Sequence, residues 1–215
     1  MNKYDGWHLA IIEEKILEVT PCEESRIDLK TKLKFCERYA KEQQLALQFK
    51  LYSNRELDGL EKILKIQHYA VVQSQLLMAR KDMAVSLMRN PCVSIKLYEA
   101  HDEAFKKHRK ALSLEKIEIG DRACFCELFY EDISVGIAYA TIKSGKMGIF
   151  NVAVEADYRH RGFGEQIIRV LFHWGRENDA TTAYLQVASD NTIAVHLYKK
   201  LGFHEEAKSW IRKKI

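Results

Sequence analysis

The sequence predicts a mixed α/β fold in two domains, and three observations carry this prediction. Residues 45–51 alternate apolar and polar side chains, as a half-buried strand does, whereas residues 27–43 place apolar side chains at helical spacing. Three strand-like stretches later follow one another with short polar turns between them, which is typical of antiparallel hairpins. A loop with two glycines, residues 159–164, then joins the last of these strands to a long helical pattern.

The first half of the chain is predicted to run strand, helix, strand, helix, strand. Leu29, Leu33 and Cys36 share one face of its first helix. The predicted elements are strand 5–12, helix 27–43, strand 45–51, helix 56–66 and strand 69–78. Residues 81–92 are predicted to be a partly helical linker, which Pro91 ends because the residue before a proline disfavours helical geometry.

The second half is predicted to be longer and to contain a hairpin-ordered sheet. Its turns are Glu131-Asp132 and residues 144–146, both of hairpin length. The predicted elements are strand 93–97, helix 101–112, strands 123–130, 134–142 and 147–155, helix 163–178, strand 182–188, helix 191–200 and strand 203–212.

The last five elements repeat the order of the first half at an offset of about 135 residues, which suggests an internal duplication. The alternative is that α/β proteins often repeat this order without duplication. The predicted domains are residues 1–80, a linker at 81–92 and residues 93–215. Residues 22–28, CEESRID, correspond to the glycine loop but contain no glycine and three acidic side chains, so the first domain is not expected to bind a polyphosphate.

Composition excludes several classes of protein. The chain has 215 residues and a net charge of +4, and because its Lys and Arg are dispersed a nucleic-acid-binding protein is not expected. No apolar run reaches the ~18 residues of a membrane span, so a membrane protein is not expected either. No signal-peptide core begins the chain. The five cysteines form no CxxC pair, and Cys124 and Cys126 read as small buried side chains better than as a metal site. A cytoplasmic location and no metal are therefore expected.

The glycine loop has the physical character of a pyrophosphate site. Gly162 and Gly164 let the backbone turn sharply and approach a ligand closely. The following helix directs unpaired N–H groups and the positive end of its dipole to the same place. A plain helix cap is the alternative interpretation of the same glycines.

Two segments together resemble the GCN5-related N-acetyltransferase (GNAT) family. The first is Arg-x-x-Gly-x-Gly at residues 159–164, and the second is N-x-x-A-x-x-L-Y-x-x-x-G-F at residues 191–203. The resemblance covers roughly residues 93–215, and a tandem arrangement with a degenerate first half resembles some bacterial members. It implies the splayed sheet of the acyl-CoA N-acyltransferase fold, with a smaller α/β domain of similar topology before it, and acetyl-CoA as cosubstrate.

The resemblance also implies which residues hold acetyl-CoA. The strand before the loop would bond the pantetheine arm, and the loop amides would hold the pyrophosphate. Arg161 is read as a phosphate partner or as an ordinary surface arginine, and Asn191 as a ligand of the arm or as a helix N-cap. The implied coenzyme residues are Val152, Ala153, Val154, Arg159, His160, Arg161, Gly162, Phe163, Gly164, Glu165 and Asn191.

Tyr198 is the implied general acid, which would protonate the departing thiolate; a half-buried tyrosine at a helix–sheet seam is the alternative. Many relatives resembling ribosomal-protein acetyltransferases place a glutamate where this chain has Gln186, and an amide accepts no proton at neutral pH. Glu127, His196 and His204 stay open as bases, and so do a base that acts through water and a reaction without a base.

The sequence therefore predicts an acetyl-CoA-dependent N-acetyltransferase in which a primary amine attacks the thioester directly. The acceptor is a small molecule or a peptide amine, and a homodimer stays open. A non-catalytic acetyl-CoA sensor is the alternative function, and a structural protein whose glycines serve only as caps is a third.

Overall fold

The computed structural model describes residues 3–22, 26–54, 58–87, 90–111 and 119–215. The α-helices in these ranges are α1 (Leu29–Glu42), α2 (Asp58–Ile66), α3 (Glu103–Ala111), α4 (Phe163–Glu177) and α5 (Thr192–Lys200). The strands are β1 (Lys3–Tyr4), β2 (Trp7–Ile12), β3 (Ile16–Pro21), β4 (Ala46–Tyr52), β5 (Tyr69–Lys81), β6 (Val93–Glu99), β7 (Arg122–Tyr130), β8 (Ile133–Lys143), β9 (Lys146–Val154), β10 (Thr182–Ala188) and β11 (His204–Lys214). A short 3-10 helix, Ala156–Tyr158, follows β9.

By contacts the chain divides into two compact units. The first unit contains residues 1–77, 188–191 and 206–215, and the second contains residues 78–187 and 192–205. The predicted boundaries assigned residues 206–215 to the C-terminal domain, whereas their contacts group them with the N-terminal segment.

The first unit is an α/β layer with strand order β1-β2-β3-β4-β11-β5. β3 and β4 pair in parallel from Ile16↔Ala46 to Val19↔Phe49, and α1 is the connection between them. One face of the sheet buries an apolar cluster under α1 and α2. This cluster includes Trp7, Leu33, Phe49, Leu64 and Tyr69.

β11 is held in the first unit by both backbone and side-chain bonds. It pairs antiparallel with β4, from Ser209↔Tyr52 to Lys213↔Gln48. Glu61 on α2 accepts hydrogen bonds from Trp210 Nε1 and from Arg212, whose nitrogen lies 2.6 Å from the carboxylate. Since Trp210 also packs against the apolar cluster, the last strand of the chain completes the N-terminal unit.

The second unit has strand order β10-β9-β8-β7-β6, in which β6 to β9 are antiparallel neighbours and β9 and β10 are parallel. Phe105 on α3 packs on one face of the sheet against Phe125 and Tyr139. Cys124 and Cys126 project from β7 to the other face and are fully buried, and burial raises the pKa of both thiols. The prediction that they are small buried side chains is confirmed.

Arg80, at the end of β5, belongs to the second unit. Its guanidinium donates to three main-chain carbonyls, those of Leu201, Asp82 (2.7 Å) and Ala84 (3.0 Å), and stacks on Phe172 at 5.0 Å. These bonds fix the segment after β5 to the turn between α5 and β11.

Most predicted elements are confirmed, and the differences have local causes. β3 was missed because the β2–β3 hairpin turns on Glu13 and Glu14, which adopt left-handed φ values of 52° and 58° without the usual Asn or Gly. Of the predicted strand 5–12, residues 7–12 form β2, whereas Asp5 and Gly6 form the turn that joins β1 to β2. No helix occurs in residues 82–87 or 90–91, so the partly helical linker is wrong for the part of it that the structure describes.

Candidate active site

The parallel strands β9 and β10 part halfway along β9. They pair from Lys146↔Thr182 to Ile149↔Leu185. After Ile149, β9 forms no further pair with β10, and all residues of both strands are described. Residues 150–154 continue on β9 and pair only with β8 on its other side. Because unpaired main-chain donors and acceptors require partners, the parted strands leave an open edge for an extended ligand. The predicted residues Val152, Ala153 and Val154 lie on this edge.

A β-bulge lies at the same place. Between the pairs Tyr139↔Phe150 and Ile137↔Ala153, β9 has two residues where β8 has one. The extra residue is accommodated at Asn151, whose φ is 50°. A bulge leaves one residue outside the ladder and redirects the strand, so β9 bends away from β10 at this point. The bulge was not predicted, because asparagine inside a strand is only a weak signal of a left-handed residue.

The start of α4 is open. Gly162 is the N-cap residue, with φ 80° and no side-chain hydrogen bond capping the helix. The first intrahelical bond runs from the N–H of Gln166 to the carbonyl of Gly162 at 3.1 Å. The N–H groups of residues 163–165 precede that bond and therefore point out of the helix end, where an anion is favoured.

The two glycines of the loop serve different purposes. A Cβ on Gly162 would meet no atom within 4 Å, so there is room for a side chain. Glycine is favoured there because the residue has a left-handed φ. A Cβ on Gly164 would lie 3.2 Å from Leu197 Cδ2 on α5. Gly164 thus lets α5 approach the first turn of α4, whereas the sequence interpretation had assigned both glycines to ligand access.

The two arginines of the loop bind main chain and aromatic rings. Arg159 Nε donates to the carbonyl of Val154 at 3.0 Å, which ties the loop to the end of β9. The Arg161 guanidinium stacks on Tyr158 at 5.2 Å and Tyr130 at 5.9 Å, and it donates to the carbonyl of Asp157 at 3.2 Å. These contacts make Arg161 a support of the loop.

Glu165 is buried, and its side chain faces α5 instead of the loop. Its carboxylate lies 2.6 Å from Lys200 Nζ and 2.8 Å from Arg169. The hydrogen bonds from Lys200 and then Arg169 lower the pKa of Glu165. The predicted coenzyme role of Glu165 concerns its amide, so the ion pairs add a second role that joins α4 to α5.

Tyr198 lies on α5 directly after Leu197, the residue that contacts Gly164. It is 7% exposed, its ring meets Phe203 edge to face at 5.7 Å, and burial raises its pKa to about 12. The hydroxyl is therefore a neutral proton carrier over the physiological range.

The remaining predicted residues are less enclosed. His160 is exposed with φ 62°, and Phe163 is buried against Tyr130 at 5.4 Å. Asn191 is exposed, immediately precedes α5, and donates its N–H to Ala188 at 3.0 Å.

The candidate bases differ in their surroundings. Glu127 on β7 accepts hydrogen bonds from Ser134 Oγ at 2.5 Å and from Tyr98 Oη at 3.2 Å. His196 and His204 are exposed, as is Gln186 on β10. Among these candidates, Glu127 is the one whose carboxylate is held by side-chain hydrogen bonds.

The described part of the chain has neither a metal-binding group of side chains nor a helix that could span a membrane. In residues 3–22, 26–54, 58–87, 90–111 and 119–215, no group of three or more His, Cys, Asp or Glu side chains is arranged to hold a metal ion. Within the same ranges, none of the helices has both the length and the apolar character that a bilayer crossing requires.

The family assignment rests on a direct match. The Acetyltransferase (GNAT) family matches residues 94–203, just over half of the 215 residues. The chain belongs to this family. It is 34% identical over 79 residues to an uncharacterized N-acetyltransferase, YobR, of Bacillus subtilis, a match that covers 37% of this chain and 32% of that protein. It is 29% identical over 86 residues to the [ribosomal protein bS18]-alanine N-acetyltransferase of Salmonella typhimurium, covering 40% of this chain and 58% of that enzyme.

Both alignments cover less than two thirds of the curated relatives' length. A solved tandem GNAT protein from the clavulanic acid biosynthesis pathway superimposes with a TM-score of 0.71 at 12% identity, over 96% of this chain and 77% of that one. At that identity the likeness concerns the fold alone. The predicted GNAT-type mixed α/β fold is confirmed.

Proposed function

We propose that this GNAT protein transfers an acetyl group from acetyl-CoA to a primary amine. The observation that carries the proposal is the uncapped start of α4, with Gly162 at φ 80°, beside the point where β9 and β10 part. The pyrophosphate lies against the amides of residues 160–165, where several N–H groups converge. The pantetheine arm lies along Val152–Val154 and forms main-chain bonds in place of the missing strand contact.

The reaction proceeds by direct attack. The amine nitrogen loses one proton and attacks the thioester carbon, and the carbon–sulfur bond then breaks with its electron pair on sulfur. Tyr198 gives its proton to that sulfur, and the second proton lost by the nitrogen restores Tyr198 through solvent. The products are the amide and the free thiol, and no covalent enzyme intermediate forms.

The pKa values set the timing of the proton from Tyr198. A phenol with a pKa of about 12 lies above an ordinary thiol at ~8.5, so transfer to a relaxed, hydrated thiolate is uphill by about 5 kcal/mol. A thiolate that water has not yet reached has a raised pKa as well, because desolvation disfavours the charged form. The proton therefore moves while the carbon–sulfur bond is breaking, before the thiolate becomes hydrated.

The relatives suggest an acceptor class without fixing it. The bS18 enzyme acts on an alanine amine of a ribosomal protein, by its name. This chain has an exposed amide, Gln186, at the position where relatives of that kind carry glutamate, so we do not extend that substrate to it. We place the protein in a reducing compartment, the cytoplasm, because its five cysteines are free.

The first unit has a different task in this proposal. In its corresponding loop the N–H groups of Arg26 and Ile27 donate to the Asp5 carboxylate, and the Asp28 carboxylate accepts the N–H of Thr31. We propose that the first unit binds no coenzyme. We also propose that the duplicated segments lie in residues 1–80 and 93–215, so that β11 corresponds to β5 although its contacts group it with the first unit.

Calorimetric titration with acetyl-CoA and a free-thiol assay over a panel of primary amines test the proposal. Binding together with amine-dependent thiol release is expected, and Tyr198→Phe should lower kcat about 10²- to 10⁴-fold with the acetyl-CoA affinity unchanged. Binding without turnover, or an inert Tyr198→Phe change, favours the sensor function instead. Absence of acetyl-CoA binding contradicts both.

A further inference from the structure

The sheet of the second unit places one carboxylate in the same row as the coenzyme edge. Glu127 on β7 is opposite Ile137 on β8, and Ile137 is opposite Ala153 on β9. Residues directly opposite on antiparallel strands project to the same face, so the three side chains share one face of the sheet. With two strand spacings between them, the Cα atoms of Glu127 and Ala153 are ~10 Å apart.

That face carries the apolar cluster of the second unit. Ile137 packs against the cluster of Phe105, Phe125 and Tyr139, with Phe105 contributed by α3. Glu127 therefore lies on the α3 side of the sheet. A nucleophile that approaches the thioester at residues 152–154 from this side crosses Ile137 and Ala153, which present no polar group.

The carboxylate is oriented by two hydroxyl groups. Ser134 Oγ donates to one of its oxygens at 2.5 Å, and Tyr98 Oη donates to the other at 3.2 Å. The Tyr98 ring in turn stands 6.4 Å from the Phe125 ring. A carboxylate held in this way is suited to an ammonium ion, which gains a charge-assisted hydrogen bond.

We propose that Glu127 binds the ammonium of the acceptor, and that the acceptor is a primary amine on a short apolar stem. The nitrogen lies over Ile137, between the Glu127 carboxylate and the thioester held along β9, and the stem packs on the apolar side chains of the same face. Glu127 takes the first proton from the ammonium and releases it to solvent, which leaves the neutral nitrogen that attacks. This inference rests on the proposed acetyl transfer and adds the acceptor class and its anchoring residue.

Steady-state kinetics of Glu127→Gln, Glu127→Asp and a control, Glu177→Gln, test the inference. Glu177 is an exposed carboxylate near the end of α4 that lies 3.2 Å from His173. The probes are short alkylamines and arylalkylamines, followed by thiol release at saturating acetyl-CoA. A hydrogen bond to a charged group corresponds to about 10- to 100-fold, so Glu127→Gln should raise the amine KM by that factor. The KM for acetyl-CoA should stay within about twofold, Glu127→Asp should recover part of the loss, and Glu177→Gln should behave as wild type.

The outcomes separate this inference from the function on which it rests. Acetyl-CoA affinity measured by titration reports whether Glu127→Gln is folded. An unchanged amine KM in folded Glu127→Gln overturns the assignment of Glu127, while the acetyl transfer stands. Wild-type protein that binds acetyl-CoA and accepts none of the cationic amines overturns the acceptor class. Failure of wild-type protein to bind acetyl-CoA overturns the proposed function and this inference together.

Discussion

The starts of α1 and α4 occupy equivalent places in the two units and have opposite designs. Both helices follow a strand that pairs in parallel with the next one, and their N-cap residues, Asp28 and Gly162, are 134 positions apart. Asp28 accepts the N–H of Thr31 at 3.0 Å, whereas Gly162 brings no side chain to the helix end. The start of α1 is capped by a side chain, whereas the start of α4 has no side-chain cap.

A second carboxylate completes the closed end in the first unit. Asp5 accepts the N–H of Arg26 at 3.0 Å and that of Ile27 at 2.8 Å. Lys32, fully buried over the Trp7 ring at 4.2 Å, lies 3.5 Å from the same carboxylate, and its burial lowers its pKa. The preference of a helix start for negative charge is thus satisfied within the chain in the first unit.

The catalytic candidate differs between the units in the same way. Tyr198 is the seventh residue of α5, and the seventh residue of α2 is Leu64, which is fully buried. A leucine has no proton to donate. Under the proposed function, the same topology binds acetyl-CoA only where the loop is uncapped and the following helix carries a hydroxyl.

Giving α4 the side-chain cap that α1 has should remove the difference between the two helix starts and weaken acetyl-CoA binding. The variants are Gly162→Asp and Gly162→Asn. Aspartate and asparagine tolerate a left-handed φ better than most other side chains, and they have nearly the same shape. The aspartate would accept the helix N–H groups and repel the pyrophosphate, so we expect acetyl-CoA affinity to fall about 10- to 100-fold. The asparagine lacks the charge and should weaken binding less than about fivefold. Isothermal titration at one fixed salt concentration measures both.

Equal losses in the two variants would mean that shape, not charge, closes the first unit's helix end. Wild-type affinity in Gly162→Asp would mean that the anion does not bind at the start of α4. Gly145, in the β8–β9 turn, also has a left-handed φ, of 72°. Gly145→Asn is therefore the control for substituting a left-handed glycine.

Local pattern predicted the open loop, but not the packing behind it. The Arg-x-x-Gly-x-Gly spacing and the helical period from Phe163 are properties of neighbouring residues. The turn at Gly162 and the helix from Phe163 that they predict are confirmed. The contact of Gly164 with Leu197 and the bulge at Asn151 depend on elements distant in sequence. The place of β11 was not predictable either, because alternation fixes which face of a strand is buried and not which strand it joins.

Glu165 makes the stability of the second unit depend on pH. It occupies the position of Thr31 in α1, and its pKa is lowered below the usual 4.5 by Lys200 and Arg169. A carboxyl group with a lowered folded pKa stabilises the protein above its unfolded pKa, and this contribution is lost as pH falls through the folded value. Glu165→Gln should therefore be less stable than wild type near neutral pH, and the difference should shrink as pH falls below about 4.5. Urea midpoints measure it.

The exposed pair of His173 and Glu177 on the same helix provides the matched control. Since an exposed pair contributes little, Glu177→Gln should show almost no difference from wild type at either end of that range. A Glu165→Gln difference that persists unchanged at low pH would show that the ion pairs are not its cause.

The smallest expected effect concerns the closed helix end. Asp28→Ala removes the cap of α1, and hydrogen bonds from Thr31 already hold the pKa of Asp28 below its usual value. The variant should lose a few degrees of melting temperature, because an alanine leaves the N–H of Thr31 without its acceptor. Its acetyl-CoA affinity should equal that of wild type, since the ligand binds in the second unit. An affinity that changes with Asp28→Ala would mean that the first unit's helix start takes part in coenzyme binding, and the contrast between the two helix ends would then be one of degree.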